Sequence, residues 1–328
     1  VSTALSVGGR SVLLHSPGAG VAERIHALLT DGARVTVLET DPDATLRDLA
    51  SRGLVELVTQ ADPMLYDVVV RDQSRTAEPV VVAADPVDGS VTLVGGGPGD
   101  EGLLTIAGLQ AIRNADVIVC DRLAPLGALR EARPDAEVVH VGKIPRGEFT
   151  PQAAINEMLV ERAKAGKRVV RFKGGDSFVF GRGGEEWNAC VAAGVPVRSI
   201  PGISSSIAAA ELVGIPVTHR AVTQGFIVVS GHVAPGDERN DVDWAALASS
   251  RLTIVVLMGV AALPQIAERL IAEGLCAQTP AACIADASMP SQRSVCGTLA
   301  DIGQKASAAG ISAPAVTIIG KVVTALAR

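Results

Sequence analysis

Short, almost uninterrupted apolar runs alternate along this chain with longer amphipathic stretches. Ser11 to Leu14, Val35 to Leu38 and Val68 to Val70 have the pattern of strands, and the first two flank a helical spacing over Val21 to Thr30. A further short apolar run, Val80 to Ala83, precedes the turn-rich stretch Asp85-Pro-Val-Asp-Gly89, which reads as a linker. Beyond it the strand pattern returns at Val91 to Val94, Val117 to Cys120, Val169 to Phe172, Phe226 to Ser230 and Thr253 to Leu257. Helical spacing falls over Leu103 to Asn114, Pro151 to Ala165 and Leu263 to Glu273. Strands that are apolar at successive positions are buried on both faces, so helices must cover both sides of their sheet. The pattern predicts an α/β chain with a small βαβ domain over 1–86 and a larger domain over 89–328.

Composition narrows the function. Hydrophobic residues make up 48% of the 328 positions, enough for two cores. Aromatic residues are only 2% and the formal net charge is −6, which argues against stacking platforms for bases and against a polyanion partner. Any anionic ligand must therefore meet a local cluster of Arg and Lys. The five cysteines show neither a CxxC spacing nor a His-rich neighbourhood, so they read as reduced residues with no metal site. The longest apolar stretch, Leu252 to Leu263, stops at Pro264 and reads as a buried strand and turn rather than a membrane span. The first residues are too short and polar a run for a signal peptide, which predicts a cytoplasmic protein.

Three glycine-rich segments carry candidate chemistry. Pro17 to Gly20 lies where a dinucleotide fingerprint would sit, with Glu39 in the position of a ribose-binding acid. Gly97-x-Gly99-x-x-Gly102 matches the same pattern, with Asp121 following the next strand. Pro98 inside it removes a backbone N–H, which suits a shaped shelf better than a phosphate cradle. The third segment, residues 168 to 186, runs from an apolar strand into glycines and brings Lys173, Asp176, Arg182 and Glu185 close together.

Two resemblances follow from particular residues. Val21-Ala-Glu-Arg24 with Gly32-Ala-Arg-Val-Thr-Val37 resembles the N-terminal, NAD-dependent precorrin-2 dehydrogenase domain of siroheme synthases. Pro17 and Ala19 stand where that family has its first two fingerprint glycines, and the second half of its domain has no counterpart here. Residues 1–86 are thus expected to be a degenerate, truncated Rossmann-like scaffold, with NAD binding disfavoured.

Thr92-Leu-Val-Gly-Gly-Gly-Pro-Gly-Asp100 resembles the opening of the uroporphyrinogen-III C-methyltransferases. Val141-Gly-Lys143, Lys173-Gly-Gly-Asp176, Phe178 through Glu186, Pro201 through Ser205, Gly214 through Arg220, Met258-Gly259 and Gln292-Arg293 continue the likeness in order. The resemblance implies the two-lobed tetrapyrrole methylase fold, with lobes at about 89–200 and 218–328 and ligands in the cleft between them. It implies methyl transfer from S-adenosyl-L-methionine to two ring carbons of uroporphyrinogen III, giving precorrin-2 for siroheme or cobalamin, by a homodimer. A methyltransferase acting on a later corrin precursor, a bifunctional protein that keeps dehydrogenase activity, and a non-catalytic binding module are the alternatives.

The same likeness assigns the donor to Pro98, Gly174, Gly175, Asp176, Val179, Ser204, Ser205, Met258 and the backbone at Ala287. Met258 has a second reading as a core residue at a strand end. Ser204 and Ser205 have one as the cap of a helix over Ile207 to Leu212. Proton transfer falls to Asp121 as acceptor and Lys143 as donor, or to Arg182 and Glu185 with Arg220. Glu185 is the preferred base, Asp121 its rival, and a salt bridge steadying the loop the plain alternative for Arg182 and Glu185. Arg122, Lys143, Arg146, Lys173, Arg182 and Arg220 form the expected basic patch for the substrate's carboxylates. Ser177 replaces a proline of the family. Ala285-Asp-Ala-Ser288 replaces a Gly-Thr-type turn of the family, and Ala287 would crowd the donor if its φ were positive.

Overall fold

The computed structural model describes residues 8–15, 21–71, 87–141 and 150–326. The chain divides into two compact units, Val1–Val81 and Val82–Arg328. In the first, β1 (Ser11–His15), α1 (Val21–Thr30), β2 (Arg34–Leu38), α2 (Ala44–Ser51), β3 (Glu56–Val58) and β4 (Val68–Arg71) follow in order. Their strands form a parallel sheet in the order β3-β2-β1-β4. Val12, Leu14, Ile25, Val35, Val37 and Leu46 fill its core. Asp43 caps α2, its Oδ1 accepting the Leu46 N–H at 2.8 Å. Pro17 to Gly20 and Val80 to Ala83 lie outside the described residues.

The second unit holds two sheets. Its first lobe contains β5 (Val91–Gly95), α3 (Ile106–Asn114), β6 (Val117–Asp121), β7 (Glu137–Val141), α4 (Gln152–Lys164), β8 (Val169–Lys173), α5 (Gly183–Ala192) and β9 (Val197–Ile200). The strands are all parallel, in the order β7-β6-β8-β5-β9. Alternation along β8 decides the packing of both faces. Val169 packs with Val91, Leu93 and Val119 beneath α4 and α5, whereas Val170 and Phe172 pack beneath α3. Each fully buried aliphatic side chain of this kind contributes about 1.5–3 kcal/mol. The helical spacing predicted from Leu103 begins only at Ile106. Thr105 Oγ1 accepts the Gly108 N–H at 3.1 Å and caps the helix there, and a separate 3-10 turn occupies Glu101–Leu103.

After α6 (Ser205–Glu211) comes the second lobe: β10 (Phe226–Ser230), α7 (Trp244–Ser249), β11 (Thr253–Leu257), α8 (Leu263–Ala272), β12 (Pro280–Ala285), β13 (Arg293–Thr298), α9 (Ile302–Ala308) and β14 (Ala315–Ile319). Its sheet, β10-β11-β14-β12-β13, is mixed: β10 and β11 are parallel and the remaining pairs antiparallel. One face packs under α7, α8 and α9, the other under α6. No described helix is long and apolar enough to cross a membrane.

Candidate functional site

The parallel sheet delivers three motif segments to one edge, because β5, β6 and β8 all end there. The loop after β5 is stitched to the loop after β8. Gly96 N–H donates to Lys173 O at 2.7 Å, and Gly97 and Gly175 exchange both backbone hydrogen bonds at 3.1 and 2.7 Å. Gly97 at φ 80° and Gly175 at φ 64° adopt left-handed backbone that a side chain would strain. Gly174 fulfils a different need: a Cβ there would come within 2.5 Å of the Leu123 carbonyl. At Gly175 a Cβ would lie 3.9 Å from Ser205 N, an ordinary contact, so its backbone conformation rather than space favours glycine.

Asp176 ties in a fourth segment. Its Oδ1 accepts the Phe178 N–H at 2.9 Å and its Oδ2 the Gly202 N–H at 3.0 Å, so both oxygens already hold backbone. Ser204 caps α6, its Oγ accepting the Ser206 N–H at 3.3 Å and pairing with Ser206 Oγ at 2.8 Å. The helix it starts, Ser205–Glu211, begins two positions before the predicted one because the cap lies at Ser204. Ser205 and Pro98 are half-buried, and Val179 is exposed beside them in sequence to Phe178.

From the second lobe come Met258 and Ala287. Leu257 pairs with Val316, and Ala285 with Ala315, so the segments after β11 and β12 leave the same sheet edge on either side of β14. Met258 is 46% exposed at φ 58°, which removes its reading as a core residue. Ala287 is buried, and the positive φ values fall on its neighbours Asp286 (49°) and Ser288 (71°). Its Cβ therefore does not meet the condition under which it would crowd a ligand.

The charged groups divide into an exposed pair and a buried network. Arg182, at φ 58°, precedes the first turn of α5, and its Nε and Nη2 each donate to Glu185 at 2.8 Å. About half of each side chain is exposed. The Arg182 hydrogen bonds hold the Glu185 carboxyl below its ordinary range, which weakens it as a base. Beneath them, Arg171 Nε, Lys173 Nζ and Gln152 Nε2 donate to the single oxygen Glu186 Oε1 at 2.8, 3.0 and 3.2 Å. Arg171 also donates to Val119 O at 3.1 Å and, through Nη2, to Asp121 Oδ1 at 2.6 Å. Lys173 Nζ stands 3.7 Å from Asp121 Oδ2. Burial pushes the Lys173 ammonium down from its ordinary value, and the neighbouring Arg171 adds to that. Burial also opposes the Arg171 charge, but Asp121 and Glu186 outweigh it and raise its pKa.

Lys173 is thus corrected: it is 3% exposed and paired, not part of a surface patch for carboxylates. Arg171, Glu186 and Gln152 were missed by sequence reasoning. The signal was present in Gly183, Glu186 and Cys190, whose spacing puts Glu186 on the buried stripe of α5. Arg220 is exposed and has no ion partner among the described residues, and the structure brings it to none of the groups above. Lys143 and Arg146 lie outside the described residues. Backbone N–H groups of the Pro98 loop are engaged internally: Gly96 and Gly97 by the β8 loop, Asp100 by Ser288 Oγ at 2.9 Å and Gly102 by Asp100 Oδ1 at 2.7 Å. That is a folded shelf rather than a phosphate cradle. No group of three or more His, Cys, Asp or Glu among the described residues is placed to hold a metal ion.

The profile of the tetrapyrrole (corrin/porphyrin) methylases matches residues 90–303. The chain belongs to this family. Among methylase relatives, the siroheme synthase of Neisseria meningitidis serogroup B is 46% identical over 235 residues, covering 72% of this chain and 48% of that protein. The siroheme synthase of Tolumonas auensis is 39% identical over 331 residues, 98% of this chain and 69% of its own length. The chain therefore spans about half of the first relative and about two thirds of the second. The uroporphyrin-III C-methyl transferase of Thermus thermophilus, solved in complex with S-adenyl homocysteine, superposes with a TM-score of 0.61 at 37% identity, covering 72% of this chain and all of that one. The two-lobed methylase fold expected from the motifs is the fold found.

Proposed function

We propose that the chain methylates uroporphyrinogen III with S-adenosylmethionine, giving precorrin-2 on the route to siroheme or cobalamin. The observation that carries this reading is the arrangement of five separated motif segments, three joined in the first lobe and two leaving one edge of the second sheet. Pro98, Gly174–Asp176 and the turn before Ser205 are joined by the Gly97–Gly175 pairing and the Asp176–Gly202 bond. Met258 and Ala287 leave a common edge of the second sheet. The donor fits this wall: exposed Met258 and Val179 offer apolar surface to a nucleoside. The donor brings a methyl group already activated on a cationic sulfur. The chain's work is to align the acceptor carbon with it, an effect worth about 7–11 kcal/mol.

A base must also take a proton from the methylated ring, worth roughly 100- to 10,000-fold. Asp121 is now the better candidate than Glu185. Both Glu185 oxygens are held in the Arg182 fork, whereas Asp121 has one oxygen oriented by Arg171 and the other without a hydrogen bond inside the network. Arg171 fixes the Asp121 carboxylate, Glu186 and the Val119 carbonyl fix Arg171, and the exposed Arg182, with Arg220 on the resemblance alone, is left to meet substrate carboxylates.

Residues 1–86 are read as a shortened dehydrogenase-like scaffold, supported by the parallel β3-β2-β1-β4 sheet and by the likeness to the Tolumonas protein along almost the whole chain. Within it, Glu39 Oε1 accepts the Thr40 and Asp41 N–H groups at 2.9 and 3.3 Å, so this carboxylate closes its own turn. A homodimer, on the resemblance alone, and a cytoplasmic location, on the sequence, complete the proposal. Incubation with uroporphyrinogen III and methyl-labelled donor tests it: label enters the tetrapyrrole, and a folded chain that binds the donor product yet transfers nothing overturns the reading.

A further inference from the structure

The two lobes of the methylase unit meet at a contact that no motif predicts. Ser288 Oγ, in the turn after β12, accepts the Asp100 N–H from the Pro98 loop at 2.9 Å, across 188 positions of sequence. Met289 closes the same contact: a Cβ on Gly99 would come within 2.7 Å of Met289 Sδ. Both ends are held rigidly. Asp100 Oδ1 accepts the Gly102 N–H at 2.7 Å, and Ser288 N–H donates to Gln292 Oε1 at 2.7 Å. Met289 N–H donates to Asp286 O, and Gln292 N–H to Met289 O, each at 2.9 Å.

The backbone makes the serine informative. Ser288 lies at φ 71°, a conformation in which glycine carries no steric penalty and a side chain does. A side chain at such a position is held against strain, and among the described residues the one hydrogen bond its hydroxyl makes is the one to the opposite lobe. Pro98 stands two positions before Asp100, and Ala287 immediately before Ser288. One hydrogen bond therefore clips together the two wall segments that the proposed function assigns to the donor, one from each lobe.

We propose that Ser288 is a positioning residue for the methyl donor, its hydroxyl latching the Pro98 loop to the 286–289 turn and setting the width of the donor cleft. This rests on the donor reading of that cleft. Losing the latch lets the two loops part, so the donor binds more weakly while transfer within the loaded enzyme is retained.

The test compares Ser288→Ala, which keeps the strain and loses the hydroxyl, with Ser288→Gly, which loses both. Full-length protein is titrated calorimetrically with S-adenosylhomocysteine, its melting temperature is recorded, and kcat and KM for the donor are measured. Loss of one net hydrogen bond weakens product binding and raises the donor KM about 3- to 10-fold in both variants. kcat stays within about twofold, and the glycine variant melts no lower than wild type, since the strain is relieved. Wild-type affinity in both variants overturns the latch alone. Wild-type affinity in the glycine variant with weak binding in the alanine variant also overturns it, because backbone strain and not the hydroxyl is then at issue. No binding by the wild-type chain overturns the donor reading and the latch with it.

Discussion

Replacing Glu186 by glutamine removes the charge that balances two buried cations. Glu186 is fully buried, and its Oε1 receives Arg171, Lys173 and Gln152 at 2.8 to 3.2 Å. In the variant, Arg171 and Lys173, 1% and 3% exposed, keep Asp121 as the one carboxylate in ion-pair contact with them among the described residues. Breaking a buried pair by neutralising one partner costs about 3–5 kcal/mol, and the partial exposure of Asp121 leaves little further compensation. At about 2–3 °C per kcal/mol for a unit of this size, the melting temperature falls by about 6–15 °C. The deficit also has a pH signature. A lysine whose folded pKa lies below its unfolded value binds more protons when unfolded, so stability rises with pH between the two values. Burial already lowers the Lys173 pKa, and loss of Glu186 lowers it further. The Glu186→Gln deficit therefore narrows between neutral and alkaline pH, and Lys173→Met added to it restores part of the loss. Thermal melts followed by circular dichroism at pH 7 and pH 9 measure both effects. A melting temperature within about 2 °C of wild type, or a deficit that widens with pH, refutes the argument, since cost and rescue both follow from unbalanced buried charge.

Three other outcomes follow from the same geometry. Ser177 is fully buried and its Oγ has no hydrogen-bond partner among the described residues, so Ser177→Ala leaves stability unchanged or raises it by about 1 kcal/mol in urea unfolding. Asp116 accepts the Arg168 backbone N–H, Nε and Nη2 and the Arg133 Nη1 at 2.7 to 3.0 Å, and the Arg168 hydrogen bond holds its carboxyl far below the ordinary range. Its contribution is full above the unfolded carboxyl pKa of about 3.9 and fades as pH falls towards the folded value; Asp116→Asn costs about 2 kcal/mol near neutrality, and the gap to wild type closes in acid melts. For the base, Asp121→Asn lowers kcat by at least about 100-fold, whereas Glu185→Gln lowers it by less than about tenfold; the reverse order restores Glu185 to the role.

Much of the architecture was legible because burial on both faces writes itself into a strand as an unbroken apolar run. Phe226 to Ser230 and Thr253 to Leu257 are strands over their predicted spans. The mixed order of the second sheet was not legible, because β11, β14 and β12 pair across long separations and their direction leaves no local mark. At the site, glycines and motif spacing named the segments, and the structure supplied which atoms meet. Lys173 looked like a surface charge beside glycines, yet strand alternation puts it with Arg171 on the face that α4 and α5 cover. Glu185 and Glu186 are neighbours in sequence, but consecutive helical residues point about 100° apart. One joins Arg182 in solvent and the other enters the core. Ser288 was visible only as part of an altered turn, since its partner lies in the other lobe.

On the proposed function, this cleft methylates an unmethylated tetrapyrrole. Mass spectrometry of the products formed from uroporphyrinogen III and from an already dimethylated precursor, each supplied with S-adenosylmethionine, tests it most directly. The prediction is two methyl groups gained by uroporphyrinogen III and none by the dimethylated compound. Methylation of the dimethylated compound alone contradicts it and assigns the site to a later step.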